Sequence, residues 1–217
     1  IRLLGYFPHT SMSRRLPVYL LLDTSGSMSG EPIEQVKNKV QMLVASLRQD
    51  PYALETAWLS VITFSSGANV AVPLTELTAF QPPAIDANGS TDLGAALELV
   101  ANSVKKDLVK TTATTKGDWR PMVFLMTDGG PTDDWQKGLA RFRQEKWGVV
   151  VGCCVDNGDE AALKQITESV VRLNTSDTAS MKAFFKWISS SVSQGSKSVE
   201  QAGKDVQGLS ELPPPPP

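Results

Sequence analysis

Apolar and polar positions fall into blocks whose period switches repeatedly between strand and helix. Residues 17–23 are apolar up to a terminal Asp23, which predicts a strand buried on both faces. In 31–49 the period changes: Ile33, Val36, Val40, Leu43, Val44 and Leu47 recur at helical spacing. Pro32 suits the first turn of that helix, where its missing N–H would have no partner anyway. Residues 57–64 read as a second strand and 68–73 as a short alternating strand at a sheet edge. Leu93, Ala96, Leu97, Val100, Val104 and Leu108 mark one face of a helix over 93–109, with Asp92 as its N-cap. A continuous apolar strand over 121–127 follows. Next come a helix over 133–146, with Thr132 as N-cap and acids in its first turn, and a buried strand over 147–155. A short helix over 160–168, a strand over 170–174 and a closing helix over 181–192 complete the pattern.

Nearly continuous apolar strands alternating with helices imply a mostly parallel sheet covered on both faces. The fold class expected is α/β, doubly wound and Rossmann-like, with one short antiparallel edge strand. No internal repeat is visible. With 217 residues and 41% hydrophobic content, one domain with tails is the expectation. The domain is placed at 16–193. Residues 1–15 read as an N-terminal tail, in which 1–11 lack periodicity and a signal-peptide core and look like an upstream addition. Residues 194–217 are rich in Ser, Gln, Gly and Lys and finish in Pro213 to Pro217, the composition of a flexible linker running into stiff polyproline.

Charge and composition narrow the function classes. A net charge of −2 gives no electrostatic case for nucleic acid or an anionic membrane. No stretch reaches the ~18–20 apolar residues of a membrane span. The single histidine, His9, lies in the N-terminal tail, which argues against a Ser-His-Asp triad or a histidine-rich metal site in the domain. Cys153 and Cys154 are adjacent in an apolar run and read as buried strand residues in a reducing compartment rather than a redox pair.

Three loops are rich in oxygen donors. The first is Asp23-Thr24-Ser25-Gly26-Ser27, directly behind the first strand. The second is Asn88-Gly89-Ser90-Thr91-Asp92, before the helix at 93, and the third is Thr127-Asp128-Gly129-Gly130-Pro131, after the central strand. In a parallel sheet, loops at the carboxyl ends of strands gather on one edge, where such folds place ligands. Carboxylates mixed with hydroxyls suit a hard cation such as Mg²⁺. The donors expected are Asp23, Ser25, Ser27, one hydroxyl from the second loop (Ser90 or Thr91) and Asp128, directly or through water. Asp133 and Asp134 read as helix-dipole acids. Trp135 and the loop Gly67-Ala68-Asn69 are candidates to line a partner surface.

Asp23-x-Ser25-x-Ser27, Thr91 opening a helix and Thr127-Asp128-Gly129 after a buried strand together resemble the von Willebrand factor A domain. In that family these positions form the metal-ion-dependent adhesion site, so the resemblance selects Thr91 and implies Asp23, Ser25, Ser27, Thr91 and Asp128 as metal ligands. The resemblance covers roughly 16–192. The stretches around Arg15-Leu16-Pro17-Val18-Tyr19, Gly30-Glu31-Pro32-Ile33, Asp50-Pro51-Tyr52 and Leu125-Met126-Thr127-Asp128-Gly129-Gly130 are similar to the bacterial TerY-like branch. That branch is associated with tellurium-resistance and stress-response gene clusters. It implies a cytoplasmic, non-catalytic protein-interaction module that holds Mg²⁺, with Mn²⁺ or Ca²⁺ as substitutes. Its partner would give the metal a carboxylate or phosphate and belong to a phospho-signalling system: a Ser/Thr kinase, a PP2C-type phosphatase, or both. Two neutral hydroxyls among the ligands leave the ion electrophilic and open to such an acidic group.

The rival class is a Mg²⁺-dependent phosphohydrolase of haloacid-dehalogenase-like type. Those enzymes carry Asp-x-Asp-Gly, with the second Asp as acid/base. Here Ser25 holds that position, and a hydroxyl cannot take that general acid/base role near neutral pH. A third reading is a scaffold whose metal is purely structural.

Overall fold

The computed structural model describes residues 14–156, 158–173 and 177–202. In chain order it runs β1 (Leu16–Asp23), a 3₁₀ turn (Gly26–Met28), α1 (Glu31–Leu47), α2 (Pro51–Thr56), β2 (Ala57–Ser65) and β3 (Gly67–Glu76). Then come α3 (Leu93–Asp107), β4 (Met122–Thr127), α4 (Trp135–Phe142), β5 (Val149–Val155), α5 (Glu160–Ile166), β6 (Val170–Leu173) and α6 (Thr178–Ala202). The strands form one sheet in the order β3-β2-β1-β4-β5-β6. Every neighbouring pair is parallel except β2–β3, a hairpin turned at Gly67, whose φ of 91° suits only glycine. The expected doubly wound α/β architecture is therefore present.

Alternation along β1 divides the core. Leu16, Val18, Leu20 and Leu22 pack with residues of α1, α2 and α6, including Val36, Val40, Leu43, Phe184 and Ile188. Tyr19 and Leu21 face the other way, onto Leu93, Leu97 and Val100 of α3, Leu139 and Phe142 of α4 and Leu163 of α5. All eight residues of β1 are buried, as the continuous apolar run requires. Among the described residues no helix is long and apolar enough to cross a membrane.

Several boundaries differ from the sequence expectation, each for a local reason. The helix expected over 133–146 is only Trp135–Phe142. Thr132 does not cap it, because its hydroxyl accepts from Thr91 N–H at 2.9 Å. At the other end Trp147 stacks on Phe142 at 4.4 Å and donates from Nε1 to the Phe142 carbonyl, which turns the chain early. Asp92 precedes α3 but makes no side-chain cap bond; it accepts from Gly67 N–H at 2.7 Å instead. The edge strand is ten residues long, and Gly67, Ala68 and Asn69 belong to it, paired with Ser65, Phe64 and Thr63, rather than to a loop. The extra helix α2 starts at Asp50, whose carboxylate accepts from Tyr52 N–H and Ala53 N–H at 2.9 and 3.0 Å.

The described residues continue past both ends of the 16–193 stretch. Arg14 and Arg15 are tied to the domain: Arg14 stacks 3.4 Å from the Trp119 ring centre, and Arg15 pairs through Nε and Nη2 with Asp118 at 2.8 and 2.5 Å. At the far end α6 continues to Ala202, through residues whose composition had suggested a linker. Gly195 and Ser196 are buried there, so these small residues serve close packing rather than flexibility. The expected upstream addition with His9, the last strand residue Asn174 and the polyproline end lie outside the described residues.

Candidate metal site

Asp23 is the last residue of β1 and Thr127 the last of β4, two strands adjacent and parallel in the sheet. The chain leaves β1 toward β2 on one side, while β4 lies on the other. The strand order thus reverses between β1 and β4, which opens a crevice at their carboxyl ends. The first and third oxygen-rich loops leave from that point.

The first loop is wound tightly. Asp23 is 1% exposed; its Oδ1 accepts from Ser25 N–H at 2.8 Å and its Oδ2 from the Thr127 hydroxyl at 2.5 Å. Thr24 turns inward, and its N–H and hydroxyl both donate to the Phe64 carbonyl. The 3₁₀ turn then brings Ser25 Oγ and Ser27 Oγ to 3.0 Å from each other. The Ser27 hydroxyl donates to Asp128 Oδ1 at 2.8 Å. Hydrogen bonds therefore link Asp23, Ser25, Ser27 and Asp128 in turn across the crevice, the first through the Ser25 backbone N–H and the others through side-chain oxygens.

The second loop is bonded to the other two. Gly26 N–H donates to the Gly89 carbonyl at 2.9 Å, and Asn88 N–H to the Thr24 carbonyl at 2.8 Å. Thr91 and Thr132 exchange bonds: Thr91 N–H to Thr132 Oγ1, and Thr132 N–H to the Thr91 carbonyl, both 2.9 Å. The two hydroxyls in question are differently placed. Ser90 Oγ is engaged by Ser66 Oγ and Asp92 Oδ1 at 3.0 Å each, toward the β2–β3 hairpin. Thr91 is buried, and its Oγ1 lies where a Cβ on Gly129 would be 3.4 Å away, beside the third loop. A Cβ at 129 would meet that hydroxyl in ordinary van der Waals contact.

The electrostatics suit a cation. Among the described residues no lysine or arginine pairs with Asp23 or Asp128. Burial raises the Asp128 carboxyl above its ordinary pKa, the neighbouring Asp23 charge pushes the same way, and the Ser27 hydrogen bond opposes both. Two carboxylates sharing a partly desolvated crevice without a counter-charge are stabilised by a divalent ion. Each Asp23 oxygen keeps a second lone pair beyond the bond it already accepts, enough to hold an ion or an ion-bound water. Among the described residues no three of His, Cys, Asp and Glu converge, so the donors here are hydroxyl-rich.

Other candidates take structural places. The Asp133 carboxylate accepts from Gly94 N–H at 3.1 Å and Ala95 N–H at 3.0 Å, capping α3 from a distant segment. Trp135 is half-buried against the core face formed by α3 and α4. Cys153 and Cys154 are both buried free thiols in β5. Sequence reasoning placed Thr127 only in the third loop, read Thr132 as an N-cap and read Asp133 as a helix-dipole acid; it did not foresee their bonds to Asp23, to Thr91 and to the start of α3.

The chain belongs to the von Willebrand factor type A domain family, whose model matches residues 18–187. Domains of this family are protein-interaction modules, generally non-catalytic. Among solved structures it is similar to proximal thread matrix protein 1 from the mussel byssus, at 20% identity and TM-score 0.61 over 82% of this chain and 48% of that one. Another structure of that mussel protein has a zinc-occupied metal-ion-dependent adhesion site. The pilus adhesin SpaC from Lactobacillus rhamnosus GG matches at 14% identity and TM-score 0.67, over 83% of this chain and 31% of that one. A von Willebrand factor type A protein from Catenulispora acidiphila matches at 17% identity and TM-score 0.58, over 83% and 43%. At such identities the likeness shows the fold. The chain spans less than half the length of these structures. No curated protein sequence matches it.

Proposed function

We propose that this domain is a metal-dependent adhesion module that holds Mg²⁺, or Mn²⁺ or Ca²⁺ in its place, through Asp23, Ser25, Ser27, Thr91 and Asp128. The observation that carries the reading is the connected run from Asp23 through Ser25 and Ser27 to Asp128, in a crevice with no cation paired to either acid among the described residues. Asp23 and Asp128 supply the charge, and Ser25, Ser27 and Thr91 supply neutral oxygens. When bound, the ion offers an electrophilic position to a carboxylate or phosphate of a partner protein. Thr127 fixes Asp23 in orientation, and the Thr91–Thr132 exchange holds the second loop against the third.

The finer assignment follows the TerY-like stretches. It makes the module cytoplasmic and bacterial, working in a tellurium-resistance or stress-response system. Its partner there is a Ser/Thr kinase, a PP2C-type phosphatase or both. Calorimetric titration with Mg²⁺ and Mn²⁺ tests the site: wild type takes up one ion and Asp23→Ala none. Identical heats for the two proteins would remove the metal site. Turnover of a generic phosphate ester with Mg²⁺, lost in Asp23→Asn, would replace the adhesion reading with a hydrolase. A structural metal would show as a lower melting temperature in Asp23→Ala with partner capture from source-cell lysate unchanged by EDTA.

A further inference from the structure

A second concave feature of the domain lies apart from the metal crevice and is lined by cations. A groove of about 300 Å³ runs between α1 and α6, with Met42, Leu43 and Phe185 as its apolar floor and Lys39, Lys182 and Lys186 around it. The Ser46 and Ser189 hydroxyls, 2.9 Å apart, join the two helices beside it. Met42 is 45% exposed, a high value for a large apolar side chain in this molecule. No aspartate or glutamate lines the groove.

Lys39 is the decisive residue. It is only 6% exposed, yet among the described residues it has neither a hydrogen bond nor an ion pair. Its stem is buried while Nζ still reaches solvent, so the ammonium is held at the wall of the groove, where an anion can meet it. Its stem packs on the apolar floor while its ammonium lines the groove. Lys182 and Lys186 stand one helical turn apart on α6, exposed and likewise unpaired among the described residues. Three cations around an apolar floor define what fits.

We propose that the α1–α6 groove docks an acidic segment of a partner protein, with one large apolar side chain seated on Met42, Leu43 and Phe185 and flanking carboxylates on Lys39, Lys182 and Lys186. The groove is concave and sized for about one such side chain, which favours a peptide over the flat surface of a bilayer. Lys39 lies eight residues beyond Glu31, so the groove is about 12 Å or more along α1 from its metal-site end. A partner gripping both places would gain avidity from the second contact.

The test uses the full chain and a labelled synthetic peptide of leucines at helical spacing flanked by glutamates, read by fluorescence anisotropy. Wild type binds it. Lys39→Gln and Lys186→Glu each weaken binding about tenfold or more, and a peptide with glutamine in place of glutamate binds weakly. Raising the salt concentration weakens wild-type binding, whereas EDTA and Asp23→Ala leave it unchanged, which separates this groove from the metal site. Lys182 and Lys186 are exposed, so Lys182→Glu with Lys186→Glu keeps the test valid even if Lys39→Gln melts early. Equal binding by wild type and the variants would overturn the proposal, as would absence of binding by wild type or loss of binding with EDTA. Capture of wild type, but not Lys186→Glu, by phosphatidylserine vesicles without peptide binding would overturn it in favour of a membrane contact.

Discussion

Thr91 and Thr132 hold each other by two reciprocal 2.9 Å bonds, although 41 residues separate them. The backbone N–H of Thr91 donates to the Thr132 hydroxyl, and the backbone N–H of Thr132 donates to the Thr91 carbonyl. This exchange fixes the hydroxyl-bearing loop against the loop that carries Asp128. Thr132→Val keeps the shape and the backbone bond but removes the acceptor. The expected result is a Mg²⁺ affinity lowered about tenfold, as for other residues that orient metal ligands, with the stoichiometry unchanged. Calorimetry on wild type and Thr132→Val checks it, and an unchanged affinity would mean the loop is held by other contacts.

The two aspartates at the start of α4 separate by the same logic. Asp133 caps α3 through Gly94 and Ala95, whereas Asp134 occupies the N-cap position of its own helix with no side-chain cap bond. Asp133→Ala is expected to cost about 1 kcal/mol of stability, the usual worth of a lost cap, and Asp134→Ala distinctly less. Urea melts of the two variants provide the comparison. The reverse order would restore Asp134 as the stabilising acid.

This pair also shows what the sequence could and could not disclose. Apolar runs placed β1 and β4 to within a residue, because a strand buried on both faces leaves a continuous signature, whereas the half-exposed edge strand β3 runs four residues longer than its short alternating pattern suggested. Asp23, Ser25, Ser27 and Asp128 stood out as candidate donors for a related reason, since they lie just at or past the end of such a run, whereas Thr91 was picked out by the family resemblance. The cap from Asp133 to α3 was not legible, since it joins segments 39 residues apart and looks locally like an ordinary first-turn acid. Composition misled at Gly195 and Ser196. Small polar residues are shared by linkers and by tightly packed helices, and only the neighbouring helix decides between them. Trp147 shortened α4 through its contact with Phe142, again a tertiary effect on a locally helical sequence.

Gly94 and Gly138 mark the close crossing of α3 and α4. A Cβ on Gly138 would lie within 2.7 Å of the Gly94 Cα and carbonyl carbon, and one on Gly94 would lie 2.5 Å from the Trp135 Cα. In an exposed helix Gly→Ala would stabilise by about 0.5–1 kcal/mol, because alanine loses less backbone entropy. Here the sign reverses. Gly138→Ala is expected to lower stability by roughly 1–3 kcal/mol, the usual range for overpacking. Because α4 follows the Asp128 loop, the same variant should also weaken Mg²⁺ binding. A thermal melt showing no loss would mean the helices can separate freely.

Cys153 and Cys154 sit side by side in β5, the first in the core with α1, α2 and α6 and the second in the core with α3, α4 and α5. Burial raises both thiols above the ordinary cysteine pKa; for Cys153 the neighbouring thiol adds to the shift, and for Cys154 the charge of Arg172 opposes it. The folded state therefore keeps protons that the unfolded chain releases near pH 8.5. Above that pH the unfolded state binds fewer protons than the native one, so stability falls as pH rises. Below it both states carry neutral thiols and these groups contribute no slope. Denaturant melts from pH 7 to 10 should show this decline, and it should shrink in Cys153→Ala measured against its own value at pH 7. A thiolate-specific colorimetric reagent should react slowly with native protein at pH 8 and with two thiols per chain once the protein is unfolded. Rapid reaction of either thiol in the native state would contradict the burial on which the pH dependence rests.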